Sequence, residues 1–267
     1  MSTPDYDYYG LFASTWDLWR DDTANWSDRH FYLDLVRRYG EPVLDIGCGT
    51  GRLLLDYANL GIDVDGIDNS PEMLSICRSK AQKLGLSPGI YQLDILNDDL
   101  PRAYRTILAP SSVVQLMTTP GTAERMLARC HAHLLPGGVF AASFAFDWRT
   151  GEPLDSGWEL LFEKVRPEDG ATVRHWARET RDPAQQLWHA ESRFEVEVAG
   201  QVVAVEEQRR SPEGRWYSQE QAVALYRQAG FRENHLYDGF SFAPAHAESR
   251  LFVVAGVKGQ AVQSAGE

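Results

Sequence analysis

The chain has 267 residues, of which 43% are hydrophobic, and its formal net charge is −12 at pH 7. This length fits one large domain or one domain with an added element, and the hydrophobic fraction is sufficient for a packed core. The negative charge disfavours nucleic acid as a partner, and the lack of an apolar run of about 18 residues argues against a transmembrane helix or a membrane partner.

The first 39 residues are predicted to form a helical arm that is rich in aromatic side chains. The arm carries Trp16, Trp19 and Trp26, and no tryptophan then occurs between residues 27 and 147. The aromatic parts of the chain therefore lie on either side of its central segment.

Residues 43–51 read Val-Leu-Asp-Ile-Gly-Cys-Gly-Thr-Gly, an apolar strand that leads into alternating glycines. The glycines are Gly47, Gly49 and Gly51. They allow a sharp turn and a close approach of a ligand to the backbone. A helix is predicted over residues 52–59, and its first N–H groups would point into the turn. Asp45 lies within the strand, where a carboxylate is costly unless something bonds to it.

A glycine turn between a strand and a helix occurs in several nucleotide-binding folds, and it can also be purely structural. A dinucleotide-binding G-x-G-x-x-G pattern requires a third glycine at position 52, but Arg52 is found there. The Gly-Lys-Ser/Thr sequence of a phosphate-binding P-loop is also absent. These departures disfavour an NAD-linked oxidoreductase and a P-loop protein.

Two more acidic residues follow predicted strands. Asp68 ends a strand predicted over residues 62–67, and Asp94 ends one predicted over residues 89–93. A helix is predicted over residues 71–84, with Ser70 as its cap. Ligands of open α/β sheets bind at the carboxyl ends of the strands, so we expect the three acids to lie near one site. An alternative for Asp68 is that it only caps the following helix.

The ordered acids and the D-x-G-x-G-x-G turn resemble class I S-adenosylmethionine (SAM)-dependent methyltransferases. The resemblance implies that Asp68 holds the ribose hydroxyls and that Asp94 accepts a hydrogen bond from the adenine amino group. It further implies a cofactor site that contains the acid and turn of the first strand and the residues after the next strands. This set comprises Asp45, Gly47, Cys48, Gly49, Gly51, Asp68, Asn69, Met73, Asp94, Ile95, Ala109 and Pro110.

Later elements extend the resemblance. A strand is predicted over residues 106–114, where Ala109, Pro110 and Ser111 would border the methionyl part of SAM. A helix is expected over residues 122–134. The sequence Leu-Leu-Pro-Gly-Gly that follows it, before a strand at residues 139–144, is typical of the family. The implied fold is α/β: a Rossmann-like, doubly wound, mostly parallel seven-stranded sheet with an antiparallel β insertion after the fifth strand.

The insertion is predicted at residues 148–216, as an antiparallel meander with strands near 158–165, 172–180, 187–198 and 201–210. It resembles the insertion of amino-sugar and glycine-type N-methyltransferases, which implies a substrate cap or a dimer contact. Five tryptophans, at positions 148, 158, 176, 188 and 216, suggest an aromatic cap, although they can also simply stabilise a small sheet.

The domain organisation follows from these elements. The resemblance implies that residues 1–39 form an arm that closes over the cofactor, and that residues 40–147 and 217–258 form the SAM-binding domain. Its last elements are a helix over residues 218–230 and strands near residues 233–237 and 251–257. Residues 259–267 are expected to be a flexible tail. In the arm, many methyltransferases of this family carry a Tyr-Asp pair that closes over SAM. The corresponding pair here is Trp16-Asp17, so Tyr8 or Tyr9 is a candidate to replace the tyrosine. Arg20 is a candidate to bind the SAM carboxylate.

The predicted function is in-line methyl transfer from SAM to N, O or C of a small organic acceptor. The alternative is a SAM-binding protein without methyl transfer, such as a cyclase-like or regulatory protein. No catalytic base is assigned. The candidates are His175, His189, Glu191 and Asp147, with Gln115 and Ser112 as orienting groups.

The cysteines and the N-terminus bear on location. The chain has three cysteines, and no Cys/His spacing suggests a metal site. The first five residues lack the basic and apolar regions of a signal peptide. We therefore expect a cytoplasmic protein without a metal, with a homodimer as a possible assembly.

Overall fold

The computed structural model describes residues 6, 8–20, 26–145 and 148–260. Eleven strands lie within these ranges, and we number them along the chain. They are β1 Val43–Ile46, β2 Val64–Asp68, β3 Gly89–Gln92, β4 Tyr104–Ala109, β5 Leu134–Ala145, β6 Glu159–Val165, β7 Thr172–Asp182, β8 Leu187–Val198, β9 Gln201–Arg215, β10 Glu233–Asp238 and β11 Leu251–Val257. The α-helices are α1 Gly10–Ser14, α2 Trp16–Trp19, α3 Ser27–Tyr39, α4 Arg52–Asn59, α5 Pro71–Leu84, α6 Thr122–His133 and α7 Gln219–Gln228.

Seven strands form the main sheet, in the order β3-β2-β1-β4-β5-β11-β10. Neighbours from β3 to β5 pair in parallel, and β11 is antiparallel to both β5 and β10. The strand order reverses between β1 and β4, which places a crevice at their carboxyl ends. The predicted mostly parallel, seven-stranded sheet is confirmed.

Helices cover both faces of this sheet. Side chains of α3, α4 and α5 form one apolar core with one face of the strands, and side chains of α6 and α7 form the other core. Local signals fix the helix starts. Ser70 Oγ accepts a hydrogen bond from Met73 N at 3.2 Å, and Ser218 and Gln221 form a capping box. The sheet is therefore doubly wound, as the sequence predicts.

The prediction for β4 is wrong at its end. The strand stops at Ala109, and residues 113–116 form a 3₁₀ helix instead of continuing the strand to residue 114. Ser111 and Ser112 adopt φ values of 53° and 62°, which an extended strand excludes. The apolar pair Val113-Val114 resembles strand sequence, but the reversal before it turns Val113 towards the glycine turn.

The insertion forms a separate antiparallel sheet in the order β6-β7-β8-β9. From residue 190 to residue 197, side chains of β8 alternate between buried and half-buried, as in a strand with one covered face. Leu11, Leu18 and Trp19 of the arm pack against the apolar inner face of this sheet. The arm is thus enclosed between the insertion and the main domain.

Within the described residues, the helices are too short or too polar for any of them to cross a bilayer.

Candidate cofactor and active site

Two adjoining cavities lie at the carboxyl ends of β1, β2 and β4. The arm-side cavity, of about 90 Å³, is lined by the glycine turn, Asp45 and three arm residues, Tyr8, Trp16 and Arg20. The β3-side cavity, of about 80 Å³, is lined by residues after β2 and β3. Gly47, Asp68 and Val113 line both. The two cavities together form an elongated site across the point where the strand order reverses.

The glycine turn forms the floor of this site. Gly47, Gly49 and Gly51 have φ values of 69°, 53° and 88°, which non-glycine residues rarely adopt. The N–H groups of Gly47 and Cys48 donate to Ile67 O at 2.9 and 3.0 Å, so the turn is tied to β2. A β-carbon at Gly47 would lie 2.8 Å from Val113 Cγ2. The turn therefore requires glycine for both its dihedral angles and its close packing.

Asp68 lies where the two cavities meet. Its Oδ2 accepts a hydrogen bond from Gly49 N at 3.0 Å, and its Oδ1 accepts one from Ser70 N at 2.8 Å. Burial raises the pKa of this carboxyl group, and the backbone donors act in the opposite direction. Asp68 therefore fixes the turn and the start of α5, and it is also positioned to accept hydrogen bonds from a ligand diol.

Asp45 is a buried acid on the wall of the arm-side cavity. Its side chain is 2% exposed, and Oδ1 has no hydrogen-bond partner among the described residues. Burial raises its pKa from 3.8 to about 7, while Arg52 and the Leu54 N–H lower it. A cationic ligand group in this cavity would supply the missing partner and favour the ionised form.

This geometry predicts that ligand-free protein loses stability as the pH rises. The folded-state pKa of Asp45 is raised, so its contribution is fully present below about pH 4 and is lost as the pH rises through about 7. A difference from 3.8 to about 7 corresponds to roughly 4 kcal/mol. We expect Asp45→Asn to be at least as stable as wild type at pH 8 in chemical denaturation. A variant that is several kcal/mol less stable than wild type at pH 8 would contradict this.

Arg20 faces the same cavity from the arm. Its guanidinium lies 4.2 Å from the ring centroid of Trp16, 4.8 Å from that of Trp19 and 5.2 Å from that of Trp26. Burial lowers its pKa to about 10, and its Nε has no partner among the described residues. The three indoles therefore hold a cation with an unused donor, and it lines the same cavity as Asp45, an acid with an unused acceptor.

The remaining arm residues explain why the arm lies here. Asp17 Oδ1 accepts a hydrogen bond from Thr50 Oγ1 at 2.6 Å, and Asp17 Oδ2 pairs with Lys80 at 2.9 Å. Asp17 thus ties the arm to the glycine turn and to α5. Tyr8 lines the arm-side cavity, and its ring centroid is 5.5 Å from that of Trp16, whereas Tyr9 does not line it. Of the two candidate tyrosines, Tyr8 is the one at the cavity.

The β3-side cavity holds other predicted residues. Asn69, Asp94 and Ile95 line it. Asp94 Oδ1 accepts a hydrogen bond from Leu96 N at 2.8 Å, and its Oδ2 accepts one from the Asn97 amide. The Asp94 carboxylate therefore shapes its own loop and also lines the β3-side cavity.

The other members of the predicted cofactor set fall into two groups. Met73, Cys48 and Pro110 line the arm-side cavity. Gly51 is the N-cap of α4, and Ala109 is fully buried in the core, so neither lines the described cavities. Cys48 is a filler, because its Sγ lies under the turn, where a β-carbon at Gly66 would be 2.9 Å away.

The three candidate bases that the structure describes do not line the cavities. His189 contacts Ser211, and it lines a groove with Glu191 on the side of the second sheet opposite the arm. His175 is stacked on Phe194 at 4.0 Å, and burial lowers its pKa to about 4. Asp147 lies outside the described residues.

The two orienting candidates have structural contacts. Gln115 is fully buried and joins the 3₁₀ helix to the ends of β5 and β9, with Nε2 donating to Ala145 O and Arg215 O at 2.9 and 3.0 Å. Ser112 N donates to Ser143 Oγ at 3.1 Å. The described residues contain no group of His, Cys, Asp or Glu side chains suited to a metal ion.

Several lining residues are absent from the sequence-based set. Thr50, Arg52, Leu53 and Val113 line the arm-side cavity. Arg52 forms a two-pronged ion pair with Asp28 of α3, with contacts of 2.5 and 2.9 Å. In the sequence analysis, Arg52 only excluded the dinucleotide pattern, because it stands where the third glycine would be. Its ion pair with Asp28, 24 residues earlier, has no local sequence signal.

The fold and the site define a class of protein. A SAM-dependent methyltransferase from Clostridium acetobutylicum is similar in structure, with a TM-score of 0.73 at 20% identity, over 93% of this chain and 98% of that one. The sheet order, the glycine turn and the strand-end acids agree with the class I methyltransferase fold, as the sequence predicts.

Residues 43–138 match the family model described as a methyltransferase domain. This stretch is therefore similar to a methyltransferase domain. The chain is 36% identical to a ubiquinone biosynthesis O-methyltransferase of Nitrobacter winogradskyi, over 39% of this chain and 38% of that protein. It is 29% identical to a dTDP-3-amino-3,6-dideoxy-alpha-D-glucopyranose N,N-dimethyltransferase of Streptomyces fradiae, over 51% of this chain and 54% of that protein. The matched stretches thus span about two fifths to half of these relatives' lengths.

Proposed function

We propose that the protein is a SAM-dependent methyltransferase that acts on a small organic molecule. The proposal rests on three charged side chains that line one site. Asp68 suits a ribose diol, and Asp45 and Arg20 offer an unused acceptor and an unused donor of opposite charge. An amino-acid zwitterion at one end and a nucleoside at the other match this arrangement.

The cavities suggest how the cofactor would lie. The adenine would occupy the β3-side cavity, near Ile95 and Asn69, and the ribose would contact Asp68. The methionyl ammonium would pair with Asp45 and its carboxylate with Arg20. Met73 lies beside Gly49, where a β-carbon would be 3.4 Å from its Cε, and it packs against the adenosine in this arrangement.

The chain's own contribution to the reaction would be alignment and exclusion of water. When bound, SAM supplies a methyl group on a cationic sulfur that is already a good leaving group. Asp45 and Arg20 fix one end of the cofactor, and the rings of Tyr8 and Trp16 cover the cavity. The acceptor would approach past Ser111 and Tyr8, in line with the methyl group.

The aromatic wall at the cavity belongs to the arm. Among the described residues, the insertion tryptophans do not line either cavity; Trp216 is 3% exposed and Trp158 is 51% exposed. The insertion would therefore cap the site through the arm that it supports, not through its own indoles. We also propose that the arm closes over SAM. The proposed domain boundaries follow residues 39, 147 and 216.

The acceptor class is proposed as a small molecule, since one relative is named for ubiquinone biosynthesis and the other for a dTDP-linked amino sugar. The net charge of −12 disfavours nucleic acid as the substrate. Three buried free cysteines suit the reducing cytoplasm as its location.

A homodimer through β9 is also proposed. This strand is an edge of the second sheet, and Val202, Val203 and Val205 on it are 51%, 60% and 51% exposed. Pairing with β9 of a second copy would cover them. Light scattering should give twice the 30.1 kDa chain mass, and a single-chain mass would exclude the dimer.

The function is tested with purified protein, SAM and a panel of small amines, phenols and amino sugars. We expect at least one acceptor to yield S-adenosylhomocysteine (SAH) and a product heavier by one methylene unit in mass spectrometry. Binding of SAM and SAH without transfer to any class of acceptor would favour the alternative of a SAM-binding regulatory protein. The protein without acceptor serves as the control for spontaneous breakdown of SAM.

A further inference from the structure

The arm that lines the cavity is held by two carboxylates, one from a helix of the main domain and one from the insertion. Helix α1 has no side-chain cap of its own. Gly10 N instead donates to Glu72 Oε2 at 2.6 Å, and Leu11 N donates to both carboxylate oxygens of Glu206 at 3.1 Å. Glu72 belongs to α5 of the main domain, whereas Glu206 belongs to β9 of the insertion. The insertion therefore contributes directly to the position of the arm.

A second side chain of β9 reinforces this contact. Gln208 is buried, and its Nε2 donates to Tyr9 O at 3.0 Å and to Glu206 Oε1 at 2.6 Å. On the opposite side, Ser70 Oγ donates to Tyr8 O at 2.6 Å. Tyr8 is thus fixed between the two domains, at the point where its ring lines the cavity.

Gly10 shows that the contact with Glu206 is tightly fitted. Its φ is +58°, and a β-carbon at this position would overlap both carboxylate oxygens of Glu206. The positive φ therefore favours glycine, and a larger residue would also force the Glu206 carboxylate to shift. The same approach lets Leu11 N reach both oxygens.

We propose that Glu206 and Gln208 of β9 are positioning residues for the cofactor: they hold the arm closed, so the insertion sets how long the cofactor stays bound. This inference rests on the proposed function, because it requires that the cavity binds SAM. Neither side chain lines the cavity; both act through the backbone of residues 9–11 and through Tyr8. An acceptor that contacts β9 would therefore also influence cofactor release.

The test compares Glu206→Ala with Glu207→Ala. Glu207 is the next residue, is 67% exposed in its side chain and pairs with Arg193 on the outer face. Release of SAH is followed by stopped-flow tryptophan fluorescence, because Trp16 lines the cavity. We expect Glu206→Ala to release SAH about tenfold faster than wild type, Glu207→Ala to match wild type, and Glu206→Gln to fall between them, since loss of a charge-assisted hydrogen bond has an effect of this order.

A double-mutant cycle separates this role from a general effect on folding. If Glu206 acts through the arm, its replacement adds nothing to the release rate in a Tyr8→Ala background. Equal release rates for wild type and a folded Glu206 variant would overturn the inference, and so would full additivity with Tyr8→Ala. If Glu206→Ala does not fold, Glu206→Gln and Gln208→Ala are measured in its place. Failure of the wild type to bind SAH would instead contradict the proposed function itself.

Discussion

Replacing Asp68 with alanine is expected to weaken SAH binding by about 100-fold or more. The carboxylate would lose its hydrogen bonds to the ribose hydroxyls, and bonds to a charged group are worth roughly 1.5–3 kcal/mol each. The substitution also releases Gly49 N and Ser70 N, which Asp68 holds at 3.0 and 2.8 Å. Isothermal calorimetry with SAH measures the loss.

The matched control is Asp63→Ala. Asp63 precedes β2, at the opposite end of the strand from the cavity, and pairs with Arg102 at 2.5 Å on the surface. Its replacement should leave SAH affinity within about twofold of wild type, because surface ion pairs contribute little and this one is far from the ligand. Equal affinity of wild type and Asp68→Ala would remove the ribose assignment and leave Asp68 as a cap of α5.

Replacing Arg20 with methionine is expected to weaken SAH by roughly 10-fold to 100-fold, the range for loss of a charge-assisted hydrogen bond to a carboxylate. Methionine keeps much of the apolar contact with the three indoles but removes the charge. The same variant should bind 5′-methylthioadenosine as wild type does, because that ligand has the nucleoside but lacks the amino-acid end.

Comparing the affinities for SAH and for 5′-methylthioadenosine shows whether Arg20 acts on the amino-acid end of the ligand. Arg37→Met serves as the control variant, since Arg37 is 67% exposed and pairs with Asp34 on α3. If Arg20→Met weakens both ligands equally, Arg20 acts by holding the arm together. If it weakens neither, the SAM carboxylate lies elsewhere.

The sequence predicted the central fold well because its signals are local. Ser70, Pro71 and Gly85 define α5 to the residue, and the glycine turn is fixed by dihedral angles that few other residues adopt. The three acids follow from the same logic, since each lies at or near the carboxyl end of one of three successive strands. These features depend on neighbours that are close in sequence.

Two expectations differ from the structure, namely the end of β4 and the position of the candidate bases. Both depend on how segments pack in the folded protein. The apolar pair Val113-Val114 favours a strand, but the left-handed Ser111 and Ser112 turn it into a 3₁₀ helix against the glycine turn. His189 and Glu191 have the chemistry of a base, but the twofold period of β8 places them on the outer face.

The arm was the least predictable part of the candidate site. No local sequence pattern places Arg20 at the cavity, and it meets its three indoles only when α2 and the start of α3 fold together. Thr50 and Asp17 are 33 residues apart in the chain, and Leu11 and Glu206 are 195 apart. Such pairs depend on the tertiary structure and leave no periodic pattern.

We propose that the cavity at the glycine turn binds SAM and not a dinucleotide. Calorimetric titration of the wild-type protein with SAH and, separately, with NAD tests it most directly. We predict one SAH site per chain and no heat of binding with NAD, because Arg52, paired with Asp28, occupies the position of the third dinucleotide glycine. Binding of NAD without binding of SAH would contradict the account.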